Sequence, residues 1–234
     1  MANLNRIQTL VFILVFTQFS AWSQHSLGVK AAGGLSKVTA LRPLTNTESK
    51  FIFAPSGQAG LFYKFNFGRS SSVGAELLFS QIEGREDMKS YYSDQLGNLT
   101  TDYFTTKLDY HLSCLSLPVY YGFTFRELTI HLGGQVSYVL KSRGHWITEA
   151  RVNNETIQFE DEGELNLDGY DFGPRAGLMF NLSKQFAIEA TYYYGLNNIL
   201  ANPTPEGWDW KIQQMTLGLR YKLWRAEKKE KDTD

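Results

Sequence analysis

"DFGPRAGLMFNLSKQFAIEATYYYGL", residues 171–196, decides how the rest of the chain is read. Before the small turn "LSK", Phe172, Pro174, Ala176, Leu178 and Phe180 share one face, opposed by Asp171, Gly173, Arg175, Gly177 and Met179. After it, Phe186, Ile188, Ala190, Tyr192 and Tyr194 oppose Ala187, Glu189, Thr191 and Tyr193. A period of two marks extended strands with unlike faces. Arg175 and Glu189 fall in the middle of these runs, where a soluble core would bury each charge at a cost of several kcal/mol unless it were paired. The two strands therefore need two surroundings, one apolar and one that accepts charge.

The same alternation recurs at 27–35, 59–67, 73–79, 115–125, 128–140 and 215–223, which with the opening pair makes eight expected strands. Helical periodicity is nearly absent. Upstream of Cys114 the apolar residues change parity to Leu108, Tyr110 and Leu112, which predicts a bulge or an extension beyond the membrane. Connections alternate between short ("GRSSS", a tight turn at Arg126, "LSK") and long, the pattern of outer-membrane barrels with an even strand count.

Soluble and membrane barrels both alternate, so the polar face has to decide between them. A water-facing exterior is usually crowded with Lys and Glu. Here that face is mostly Gly, Ser, Thr, Ala, Gln and Asn with isolated charges, which suits the narrow interior of an eight-stranded barrel. The apolar face ends in aromatics: Phe65, Phe67, Phe123, Phe125 and Trp224 near the short turns, and Tyr138, Tyr192 and Tyr194 near the long loops. Aromatic girdles at both interfaces fit that placement. The expected fold is all-β, an eight-stranded antiparallel up-and-down transmembrane β-barrel in the bacterial outer membrane, with outer-membrane lipid as its first partner.

The ends of the chain agree with export. Arg6, the apolar run "LVFILVF" and "AWSQ" read as a signal peptide over 1–23, too short to be a membrane anchor. The barrel is expected over 24–224, and "RAEKKEKDTD", residues 225–234, as a charged periplasmic tail. Cys114 is the only cysteine, so no intrachain disulfide supports the fold. A formal charge of -1 leaves no electrostatic footprint for nucleic acid.

Turn positions predict which charges meet. A turn centred on Ser70 sets Lys64 opposite Glu76, and one centred near Leu182 sets Arg175 opposite Glu189, where opposite charges attract across strands. With Lys30, Arg220 and Lys222 on the same face, the expectation is a structural ion-pair network of Lys64, Glu76, Arg175, Glu189 and Arg220 that plugs the lumen. General diffusion through so full a barrel is not expected.

The blocks "LSLPVYYGF" (115–123), "LTIHLGGQVSYVL" (128–140), "DFGPRAGLMFNL" (171–182), "YYYGLNNI" (192–199) and "MTLGLRYKLW" (215–224) resemble the PorT-like outer-membrane β-barrel family. The resemblance covers most of the mature chain and is strongest in its C-terminal half. It implies an eight-stranded outer-membrane barrel, and its founding member is associated with protein export by the type IX secretion system. It supplies no catalytic motif, and the charged ending departs from the usual barrel terminus.

Catalytic chemistry finds little support. Asp109, His111 and Ser113 share one strand face, but neighbours two apart on a strand are roughly 6.5–7 Å apart, too far for a Ser–His hydrogen bond. His25, His131 and His145 show no metal-ligand spacing, and the acidic piece "FEDEGELNLDGYD" lacks an EF-hand pattern, so no metal or cofactor is expected. The long loop at 142–168 and a loop carrying Trp208 and Trp210 are the candidate surfaces for envelope or secretion-system proteins. The leading expectation is a non-enzymatic structural, adhesion or secretion-accessory barrel. An outer-membrane lipid hydrolase and a soluble periplasmic ligand-binding barrel are the alternatives.

Overall fold

The computed structural model describes residues 23–41, 47–67, 70–93, 99–152, 155–167, 169–200 and 209–225. All but the last residue of the expected signal peptide and all but the first of the charged tail lie outside the described residues. The described chain is built from nine strands: β1 (Ser23–Leu41), β2 (Thr47–Phe67), β3 (Ser71–Ser93), β4 (Leu99–Phe125), β5 (Leu128–Val152), β6 (Glu155–Gly163), β7 (Tyr170–Asn181), β8 (Phe186–Tyr194) and β9 (Asp209–Arg225). All pairings are antiparallel. Eight strands close a ring in the order β1-β2-β3-β4-β5-β7-β8-β9 and back to β1. The ninth, β6, stands outside the ring and pairs with the distal part of β5. The eight expected strands are the eight of the ring; the loop expected at 142–168 is instead largely a hairpin that continues β5 and returns as β6. Its polar, charged composition hid a strand that contributes nothing to the lipid-facing band.

Closure leaves the membrane part of the sheet without edges, so every backbone donor and acceptor in lipid finds a partner. The outward side chains there are apolar and exposed: Leu27 and Val29 on β1, Leu117, Val119 and Phe123 on β4, Leu132 and Val136 on β5, Leu217 and Leu219 on β9. Phe125 and Trp224 mark its short-turn edge and Tyr138 and Tyr192 the opposite one, all well exposed, as aromatic girdles require. A band of this extent is untenable in water and matches hydrocarbon.

The short connections carry their own chemistry. β4 and β5 turn through Arg126 and Glu127, with Phe125 paired to Leu128 and Arg126 in the left-handed region at φ 54°. At the β7–β8 connection Ser183 Oγ accepts the amides of Gln185 and Phe186.

Strand lengths far exceed the bilayer. A tilted transmembrane strand needs about 9–11 residues, yet β3, β4 and β5 contain 23, 27 and 25. Their excess rises on the long-loop side, where the two faces exchange character. On β4 the inward face runs Tyr120, Pro118, Ser116, Cys114, Leu112, Tyr110 without a break, all buried. The outward face changes from Leu117 and Leu115 to His111 and Asp109. The parity change seen in the sequence is therefore a change of surroundings, lipid giving way to water, and not a reversal of the strand. The accompanying bulge lies on the neighbouring strand: Ser113 pairs with Lys141 and Cys114 with Val139, leaving Leu140 as the extra residue of β5.

Candidate functional site

The lumen has two storeys. The upper one is an apolar plug in which Val38, Ile82, Tyr110, Leu112, Trp210 and Ile212 pack from β1, β3, β4 and β9. Trp210 meets Tyr110 edge to face, with centroids 4.9 Å apart. Trp210 was expected in an exposed binding loop; it lies instead on an inward position of β9 and is buried, while Trp208 falls outside the described residues. Cys114 is a free thiol buried in this plug.

The lower storey is ionic. Lys30, Lys64, Glu76, Arg175, Glu189 and Arg220 all project inward and are buried. Four of the five network residues expected from sequence are brought together. Arg220 grips Glu189 with two parallel hydrogen bonds, Nε to Oε2 at 3.0 Å and Nη2 to Oε1 at 2.8 Å, the strong fork geometry of guanidinium and carboxylate. The same guanidinium contacts Glu76, donates to Tyr120 Oη at 2.8 Å, and lies over the Phe62 ring at 4.8 Å. Arg175 reaches Glu76 at 3.3 Å and donates to Gln135 at 2.6 Å. Lys30 joins the carboxylates, 3.1 Å from Glu76 and in contact with Glu189.

The expected partners are nevertheless wrong in register. Glu76 lies opposite Phe62, and Lys64 opposite Gly74, because Phe67 pairs with Ser71 and the turn is centred one residue earlier than Ser70. Arg175 lies opposite Tyr193 and Glu189 opposite Met179, because the β7–β8 turn includes Gln185. Shifting a turn centre by one residue, as at β2–β3, moves a cross-strand partner by two, and by two residues, as at β7–β8, moves it by four, which preserves the face and changes the neighbour. Arg220 and Glu189 consequently meet as diagonal neighbours on the adjacent strands β9 and β8, while Arg175 and Lys30 reach Glu76 from strands that do not pair with β3. Lys64 stays outside the clasp.

Two members escaped sequence reasoning. His131 Nε2 lies 2.9 Å from Glu189 Oε1, and its ring packs at a tilt against Tyr120, with centroids 4.7 Å apart. Gly74 makes room for Tyr120: a Cβ at this position would lie 2.2 Å from the ring. The signal was present as small residues facing large ones across the barrel, but pairing them needs the register.

On the water-facing outside of the extension, Arg85 binds Asp109 through two hydrogen bonds of 2.6 and 3.1 Å, which raise the guanidinium above its usual value. His111 faces Glu83 at 3.5 Å. Asp109 and His111 thus each have a partner on β3 and none in one another. The acidic piece at 159–171 is divided as well: Glu160 pairs with His145 on β5, while Asp171 turns inward and accepts from Tyr193 at 2.8 Å.

Residues 16–201 match the family described as outer membrane protein beta-barrel domain. No curated protein matches the sequence. Among solved structures, Neisserial surface protein A is similar at 11% identity with a TM-score of 0.45, covering 85% of this chain and 98% of that one. The attachment invasion locus protein Ail of Yersinia pestis is similar at 17% identity and a TM-score of 0.36, covering 87% and 99%. The outer membrane protease OmpT of Escherichia coli is similar at 10% and 0.37, covering 86% and 96%. Similarities of this size carry no functional inference.

Proposed function

The chain belongs to the outer membrane protein beta-barrel domain family, and from that premise we propose that it is a non-enzymatic structural, adhesion or secretion-accessory barrel acting through its extracellular wall. Membership places it in the outer membrane and sets aside the soluble periplasmic alternative, as does the exposed apolar band. The observation that carries the proposal is the excess strand length. β2 to β5 rise well beyond the bilayer as ordered sheet around a buried apolar core shared with β1, β8 and β9, and the β5–β6 hairpin extends that sheet by one strand. Such a wall presents a rigid, water-exposed surface, whereas the lumen beneath is closed by the plug and the ionic clasp. The PorT-like blocks favour a secretion-accessory role within this reading.

The test is crosslinking in intact cells from Thr156 and Gln158, on the exposed hairpin, and from Lys107, on the outer face of β4. Reproducible capture of one envelope or secretion protein, lost when residues 145–162 are replaced by a two-residue turn, supports the reading. A changed lipid A profile on deletion of the gene would instead make it a lipid-modifying enzyme.

A further inference from the structure

The ionic storey does not balance. Four buried cations, Lys30, Lys64, Arg175 and Arg220, face two carboxylates, Glu76 and Glu189. Both carboxylates are fully engaged, Glu76 by Lys30, Arg175 and Arg220, and Glu189 by Lys30, His131 and Arg220. Lys64 is left over. It is 7% exposed and takes part in none of the ion pairs that hold the clasp. The charges acting on it are two cations, Lys222 and Arg220, and the already shared Glu189.

We propose that the short-turn half of the lumen binds a small inorganic anion, held by the Lys64 ammonium with Lys222 on its open side. Drawing an ammonium into the lumen among other cations is unfavourable, and an anion offsets that cost. The surroundings suit one. Ser26 lies directly opposite Lys64 and Ser72 is buried on the adjoining β3; their hydroxyls bond weakly to backbone carbonyls, at 3.4 and 3.3 Å, and can turn to an anion. No carboxylate projects inward below Glu76 and Glu189 among the described residues. Lys222 is half-buried and donates to Asn181 at 3.3 Å, so a cation guards the entrance. Lys64 sits three residues before Phe67, where β2 ends on the short-turn side. Above it the Arg220 guanidinium lies against the Phe62 and Tyr120 rings, at 4.8 and 5.5 Å, so the crowded lumen suits only a small ion.

The test uses the full barrel in detergent, with bromide as the probe and gluconate holding ionic strength. Bromide should raise the thermal unfolding midpoint saturably; at ten times the dissociation constant the unfolding constant falls roughly elevenfold. Lys64→Met should abolish that response and be at least as stable as the parent in gluconate, since it removes an uncompensated charge. Crystals soaked in bromide should show an anomalous peak beside Lys64 Nζ. An identical bromide response in parent and variant, meaning an adventitious ion only, overturns the proposal, as does a lumen without the peak. If Lys64→Met does not assemble, the soaked parent crystals decide alone.

Discussion

Glu189 shows how much one buried carboxylate can hold. It accepts the fork of Arg220 and contacts Lys30 and His131, so Glu189→Gln leaves cations without a counter-charge. Breaking a buried pair in this way typically costs about 3–5 kcal/mol. Urea titration in lipid vesicles should show that loss, and a loss below about 1 kcal/mol would mean the clasp is not formed. The outer face responds to a different rule. Leu132 is exposed near the middle of the lipid-facing stretch of β5, so Leu132→Arg should cost roughly 2–4 kcal/mol in the same titration, as a cation at the bilayer midplane does. The equivalent change at Gln158, exposed on β6, should cost nothing measurable.

At the scale of the strand, face assignment was legible from sequence and partnership was not. Arg175, Glu189, Lys64 and Glu76 were placed on the inner face because a strand alternates strictly, and any solvent that is polar on one side enforces it. Their partners depend on turn centres, and neither "GRSSS" nor "LSK" fixes its own centre to one residue. β6 was missed for a related reason: "ETIQFEDEG" is exposed along almost its whole length, so no environment imposes the alternation that reveals a strand. Trp210 was misplaced because an aromatic beside a long connection reads equally as loop or as core. If the β5–β6 hairpin is an appendage to the ring, replacing 145–162 with an Asn-Gly turn should leave the heat-dependent shift in gel mobility intact. A variant that no longer shifts would make β6 part of the barrel's stability.

The whole molecule is a barrel read twice, apolar outside within the bilayer and apolar inside above it. With the lower lumen filled by the charged side chains of the clasp and the upper by Tyr110, Trp210 and their neighbours, planar bilayers containing the protein should show no porin-like conductance; steps of that size would mean the plug is open. The most direct measurement follows β4 across the boundary. Single cysteines in a Cys114→Ala background are exposed, in intact cells, to a thiol reagent that cannot cross the membrane. The account predicts labelling at Lys107, Asp109 and His111, and protection at Tyr110, Leu112, Leu115, Leu117 and Val119. Labelling of Leu117 or Val119, or equal labelling of Tyr110 and Leu112 with their odd-numbered neighbours, would contradict it.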